Sequence, residues 1–168
     1  IDQMPVPDLK KLETEGQIRR AMLLLSHFGN AYIWGDNPPA RVIPHSLAVP
    51  WAQVAEHGGR PMIISPASIV PDNWRLLDEQ APIALANIGT LQLFLGGMDE
   101  AWFYLITVAL EARGAAGLPA LVALQHAVAT KRTEDVVTHL KAVVGMIEEV
   151  SDALQRVYEK CAPYVFYH

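Results

Sequence analysis

The stretch between residues 136 and 161 constrains this chain most. Val136, Leu140, Val143, Ile147, Val150, Leu154, Val157 and Cys161 step alternately by four and three. That spacing places all eight on one face of a single helix. Val137, Val144 and Tyr158 widen the stripe beyond the narrow seam of a two-stranded coiled coil. The helix is therefore expected to face the core of a bundle. Its start is marked by "KRTEDVV", with Thr133 as a cap and Glu134 and Asp135 against the helix dipole.

Upstream, the same reasoning gives further helices. In residues 10–32, Leu12, Ile18, Met22, Leu25, Phe28 and Ala31 fall mostly three or four apart, and Gly35-Asp36-Asn37-Pro38-Pro39 ends the pattern. Residues 41–50 are proline-bounded and read as irregular or extended. "VPWAQVAEHGG" reads as a short helix closed by Gly58 and Gly59. Another is expected from about Ser68, carrying Trp74, Leu76 and Leu77. Beyond Ala81-Pro82 the pattern is almost wholly helical. Asp99 is expected to cap a helix over residues 100–111, Gly114 and Gly117-Leu118-Pro119 to interrupt it, and a new helix to run over 119–130. The expected fold is all-α, with a small irregular-plus-helical domain over 1–80 and longer bundle helices over 81–168.

Composition narrows the partners. The chain is 51% hydrophobic and 18% charged, against a usual charged share of about 25%. That surplus must be buried within the chain or offered to another surface. A net charge of -5 and no Lys/Arg run longer than a pair exclude a phosphate-tracking surface, so no nucleic-acid partner is expected. Residues 80–98 carry no charge, but Pro82, Asn87, Gly89, Gln92, Gly96 and Gly97 make them a buried element and not a membrane span. The single cysteine, Cys161, allows no internal disulfide, and the expected setting is cytoplasmic.

Motifs for chemistry are sparse. None of His27, His45, His57, His126, His139 and His168 stands in a metal-ligand spacing, and helical histidines are more often satisfied or exposed than ligating. One pair is worth weighing: Phe103 and Thr107 are four apart and share a helix face. The Thr107 hydroxyl can bond the carbonyl one turn back, or serve as the one polar contact in an apolar pocket. The chain closes on "KCAPYVFYH", a cluster of large apolar side chains where chain ends are normally wet.

Several blocks in order, "AYIWG", "VIPHSLAVPWAQVAEHGGRPMIISPASIVPDNWRL", "FYLITVALEARGAAGLP" and "CAPYVFYH", resemble the indoleamine 2,3-dioxygenase family of haem enzymes, from about Leu23 onward. The resemblance implies that residues 1–80 cap the distal side of haem b and that 81–168 begin the large haem domain. It implies insertion of dioxygen into the indole of tryptophan or a related indoleamine, giving an N-formylkynurenine-type product. Aligned on Glu111, it places Phe103 as the aromatic ring stacked on the indole and Thr107 as a distal hydroxyl, both lining the distal haem pocket. A register shifted by one would put Trp102 at the aromatic site. Pro66, Ile69 and Val70 match the segment lining the far end of the indole pocket, where the family often has an aromatic and a thiol. Phe166 and Tyr167 match the aromatic pair that closes over the substrate.

The family's substrate-gripping arginine, haem loop and proximal histidine lie beyond residue 168, so no iron ligand is assigned in this chain. A C-terminal half, continuous or separate, is the expected partner. The Ile1 start and aromatic end favour a cut or partly covered chain over a natural truncation. Two alternatives remain: a haem enzyme of the same fold acting on another indole in secondary metabolism, and a non-catalytic helical interaction module.

Overall fold

The computed structural model describes residue 1 and residues 3–167, the side chains of Phe166 and Tyr167 excepted. It is mostly helical, as expected, and divides into two compact units. The first comprises Ile1–Trp74 with Leu91–Gly96, the second Arg75–Thr90 with Gly97–His168.

In the first unit, a 3-10 turn at Leu9–Lys11 precedes helix α1, Glu15–Trp34. Helix α1 begins at a capping box: the Thr14 hydroxyl accepts from the Gln17 amide at 3.2 Å, and the Gln17 side chain accepts from the Thr14 amide at 3.0 Å. Helix α2, His45–His57, starts earlier than its proline content suggests and carries Pro50 inside it. Pro50 removes one backbone bond. The helix persists because Leu47, Trp51 and Val54 all point inward, meeting Met22 and Leu25 of α1 in the core of this unit. The two helices approach closely at Gly29, where a side chain would run into the Trp51 ring.

The helix expected from Ser68 onward is only one turn long, α3 at Pro66–Ile69, and Trp74–Leu76 is instead strand β1. Asn73 explains the stop. It is buried, donating to the Ile69 and Gln92 carbonyls at 3.0 and 2.8 Å, while its Oδ1 accepts from the Gln92 amide at 2.8 Å. A side chain that crosses between two strands of chain replaces the bonds a helix would make.

Strand β1, whose Arg75 and Leu76 belong to the second unit, pairs with β2, Ile88–Thr90, in a two-stranded sheet. The loop joining them is organised by Asn87, whose Oδ1 accepts from the Asp78 amide at 2.8 Å and whose Nδ2 donates to the Asp78 and Pro82 carbonyls, each at 3.0 Å. Residues 80–97 are thus loop and strand, not one helical element, and α4 begins at Met98. Leu85 and Ile88 are buried, whereas Leu95, in the first unit, is almost wholly exposed.

Helix α4 runs unbroken through Met98–Ala129, with Gly97 at its N-cap and Pro119 in its interior. The expected break near residue 118 is absent, and Asp99 lies within the first turn instead of capping it. Packing along α5, Thr133–Gln155, accounts for the continuity. At Gly117 an added Cβ would fall 2.6 Å from the Met146 side chain. Glycine there lets the helices close up. Thr133 is the first helical residue of α5, not its cap. A 3-10 turn at Arg156–Glu159 and a short helix α6, Pro163–Tyr167, follow. Among the described residues, α4 alone is long and apolar enough to cross a membrane by length and composition.

The stripe on α5 divides in two. Val136, Val143, Val150 and Val157 are half-buried, and Ala153 fully so. Leu140, Ile147 and Leu154 are 46%, 52% and 53% exposed, and Val137 and Val144 are similarly open. One half of the apolar face is spent on packing. The other half faces out.

Candidate functional site

The first turns of α4 hold the pair singled out by spacing. Phe103 is 39% exposed, and its ring stands edge-on to Tyr104 with centroids 6.2 Å apart. Thr107 lies one turn on, and its hydroxyl donates to the Phe103 carbonyl at 2.9 Å. That back-bond is one of the two outcomes open from sequence. The threonine proton is therefore committed to the helix, which leaves the oxygen as an acceptor one turn from Phe103. Tyr104 is buried, with its hydroxyl donating to Glu100 at 3.2 Å. Burial first, and the Glu100 charge second, push its phenol well above the ordinary range, so it stays protonated.

Trp102, the neighbour of Phe103, projects from a different face of α4. It is only 4% exposed, and its indole Nε1 donates to the Arg156 carbonyl at 2.8 Å. The Lys160 ammonium lies 4.4 Å from the centroid of its ring. Asp99, one turn earlier, accepts from the Ala162 amide at 2.5 Å. No sequence pattern pointed to these contacts, because the partners are 54 and 63 residues apart.

In the first unit, Pro66, Ile69 and Val70 fall on and just after α3. Pro66 is exposed and Ile69 half-buried, while Val70 is buried in that unit. A cleft of about 550 Å³ in the same unit is lined by Leu9, Leu12, Ile18, Val54 and His57, among others, and by none of these three. The expected aromatic pair lies outside the described side chains: α6 fixes the backbone at Phe166 and Tyr167. His168 lies outside the described residues altogether.

Haem demands an axial ligand and room for a flat macrocycle in front of it. His27 offers neither. It is buried, its Nδ1 lies 2.8 Å from the Leu23 carbonyl, and its ring stacks on Phe94 at 4.3 Å. His45, His57 and His126 are exposed and His139 half-buried on helices. Among the described residues, no three His, Cys, Asp or Glu side chains gather as a metal site. Burial first, and Asp99 second, raise the Cys161 thiol above its ordinary value, which keeps it in the unreactive thiol form. Among the described residues, His27 is held by packing and is not placed to ligate a haem, whereas Phe103 and Thr107 offer side chains that could stand beside one.

Fold and side chains together define a mostly helical protein whose long helices present an aromatic and aliphatic wall. The chain belongs to the indoleamine 2,3-dioxygenase family, whose model matches residues 1–168. It is 35% identical to the indoleamine 2,3-dioxygenase acdA of Aspergillus candidus over its whole length. It is 34% identical to an indoleamine 2,3-dioxygenase of Saccharomyces cerevisiae over 99% of its length. Identity to human indoleamine 2,3-dioxygenase 2 is 28%, again over 99% of the chain. In each comparison the chain spans only about two-fifths of the relative: 43%, 39% and 42%.

Proposed function

We propose that the polypeptide containing this chain is a haem-dependent dioxygenase that opens the indole ring of tryptophan or a related indoleamine, giving an N-formylkynurenine-type product. The family match along all 168 residues carries this reading. The division of labour on α4 supports it: Trp102 is consumed by packing, whereas Phe103 presents its ring, which favours Phe103 over Trp102 as the indole-stacking residue.

Haem b, when bound, supplies the activation of dioxygen, and its iron ligand is assigned to a residue outside this chain. The role of this chain is to bind, orient and keep the substrate dry. Phe103 stacks on the indole. Thr107 offers an acceptor oxygen beside it. The family resemblance assigns Pro66, Ile69 and Val70 to apolar substrate contacts. Phe166 and Tyr167 close over it. A cytoplasmic setting, with tryptophan and dioxygen as the diffusing partners, accompanies this reading.

The C-terminal three-fifths found in the relatives is the proposed cover for the open face of α5. Leu140, Ile147 and Leu154 leave an apolar seam whose exposure costs free energy until another helix lies on it. We read α4 accordingly as a bundle helix, not a span.

The test compares the full-length polypeptide with residues 1–168 alone. The complete protein is expected to show a haem Soret band and to convert L-tryptophan to a kynurenine-type product, and the fragment to do neither. A histidine-ligated haem spectrum from residues 1–168 alone overturns the assignment of the ligand. A complete protein inert towards both haem and a panel of indoles overturns the activity.

Thr107→Ala is expected to be mild. The hydroxyl donates within its own helix, so its loss changes kcat/KM by no more than about threefold, the equivalent of one weak hydrogen bond. Steady-state kinetics on the full-length variant provide the check.

A further inference from the structure

We infer that Asp99 and Trp102 are positioning residues that hold the segment carrying Phe166 and Tyr167 against the helix turn carrying Phe103. This inference rests on the substrate roles proposed above for those aromatics.

Three contacts converge on the first turns of α4 from the far end of the second unit. Trp102 Nε1 donates to the Arg156 carbonyl at 2.8 Å, and the Lys160 ammonium sits over the same indole at 4.4 Å. Asp99 Oδ1 accepts from the Ala162 amide at 2.5 Å, immediately before α6 begins at Pro163. The α6 backbone lies against α4.

The chemistry of each contact suits a clasp. A buried indole needs a partner for its N–H, and here that partner is a backbone carbonyl in the turn that ends α5. The lysine closes the outer face of the ring, where its charge is stabilised by the π cloud and stays hydrated. The carboxylate takes the amide of Ala162, a donor that the following Pro163 cannot supply for itself. Two of the three contacts act directly on backbone, at Arg156 and Ala162, so together they set where the chain leaves α5 and how α6 is directed. Trp102 and Phe103 are adjacent in sequence and point to different faces. One side chain of the pair grips the returning chain while the other presents its ring.

The experiment uses the full-length polypeptide with haem bound, and reads KM and kcat for L-tryptophan beside haem content and the unfolding midpoint. Asp99→Ala and Trp102→Phe are each expected to raise KM about fivefold or more, the loss expected for one charge-assisted or buried hydrogen bond. Haem content should hold in both. Asp99→Asn keeps an acceptor oxygen at the same place and is expected to restore KM to near the unsubstituted value. A purely structural role would lower the unfolding midpoint and leave KM of the folded enzyme alone, and that outcome overturns the clasp. So does Asp99→Asn behaving like Asp99→Ala. Phe103→Ala, measured alongside, separates the two ideas. If it is silent, the substrate roles fail and the clasp loses its purpose. If it is damaging while Asp99→Ala and Trp102→Phe leave KM unchanged, only the clasp fails.

Discussion

Phe103→Ala in the full-length polypeptide is expected to lower kcat/KM for tryptophan by about 30- to 160-fold while haem content stays unchanged. The phenyl ring is 39% exposed on α4, at the start of a face continued by Thr107. Covering a ring of that size is worth about 2 kcal/mol, and a stacked geometry adds up to about 1 kcal/mol. About 1.4 kcal/mol corresponds to a factor of ten, so losing both terms gives the stated range. Little of the folded core should be lost, because the buried members of these turns are Trp102, Tyr104, Leu105 and Ile106. Steady-state kinetics with haem absorbance on the same samples decide it. Unchanged kinetics would discard Phe103 as the stacking residue.

Gly29→Ala should destabilise the first unit, although helix propensity alone argues the other way. In an exposed helix interior, alanine is favoured over glycine by up to about 1 kcal/mol. At Gly29 the new methyl would fall 2.7 Å from Trp51 Cε3 and closer still to Cζ3. Trp51 is 2% exposed and belongs to the core cluster of Leu47, Val54 and Met22, so moving its ring disturbs close-packed neighbours. Overpacking of this kind costs about 1–3 kcal/mol, which outweighs the propensity gain. Denaturant unfolding of the full-length protein, followed by tryptophan emission, should show the lower midpoint. Pairing Gly29→Ala with Trp51→Leu should recover part of the loss, since the smaller side chain leaves room for the methyl. A stabilised Gly29→Ala would mean that α1 and α2 do not approach as closely as described.

Much of the secondary structure was legible because its signals are local. The four-three stripe of residues 136–161 became α5 and the turn after it, and the acids at 134 and 135 lie in its first turn as read. The glycines at 58 and 59 end α2 as expected. Errors arose where a local rule met a tertiary contact. Pro50 and Pro119 both sit inside helices: α2 buries Leu47, Trp51 and Val54 on both sides of its proline, and α4 packs along α5. Asn73 stopped a helix that hydrophobic spacing would have continued, through bonds to Gln92 that are 19 residues distant.

The candidate site divides in the same way. Four-residue spacing was enough to place Phe103 and Thr107 on one face, and family resemblance supplied their meaning. Spacing could not choose between Phe103 and Trp102, because it puts them on different faces without saying which face the rest of the chain will cover.

By itself, the sequence determined that this chain is helical, apolar beyond its own needs and related to a family of oxygen-using enzymes. These properties follow from periodicity, composition and motif order, all readable along one dimension. Only the tertiary structure decided that α4 runs unbroken through Pro119, that one half of the α5 stripe stays open, and that Trp102 packs inward while Phe103 is presented. Those outcomes depend on which distant segments arrive to cover a given side chain. Burial is a property of pairs of surfaces, and a single strand of letters names only one of them.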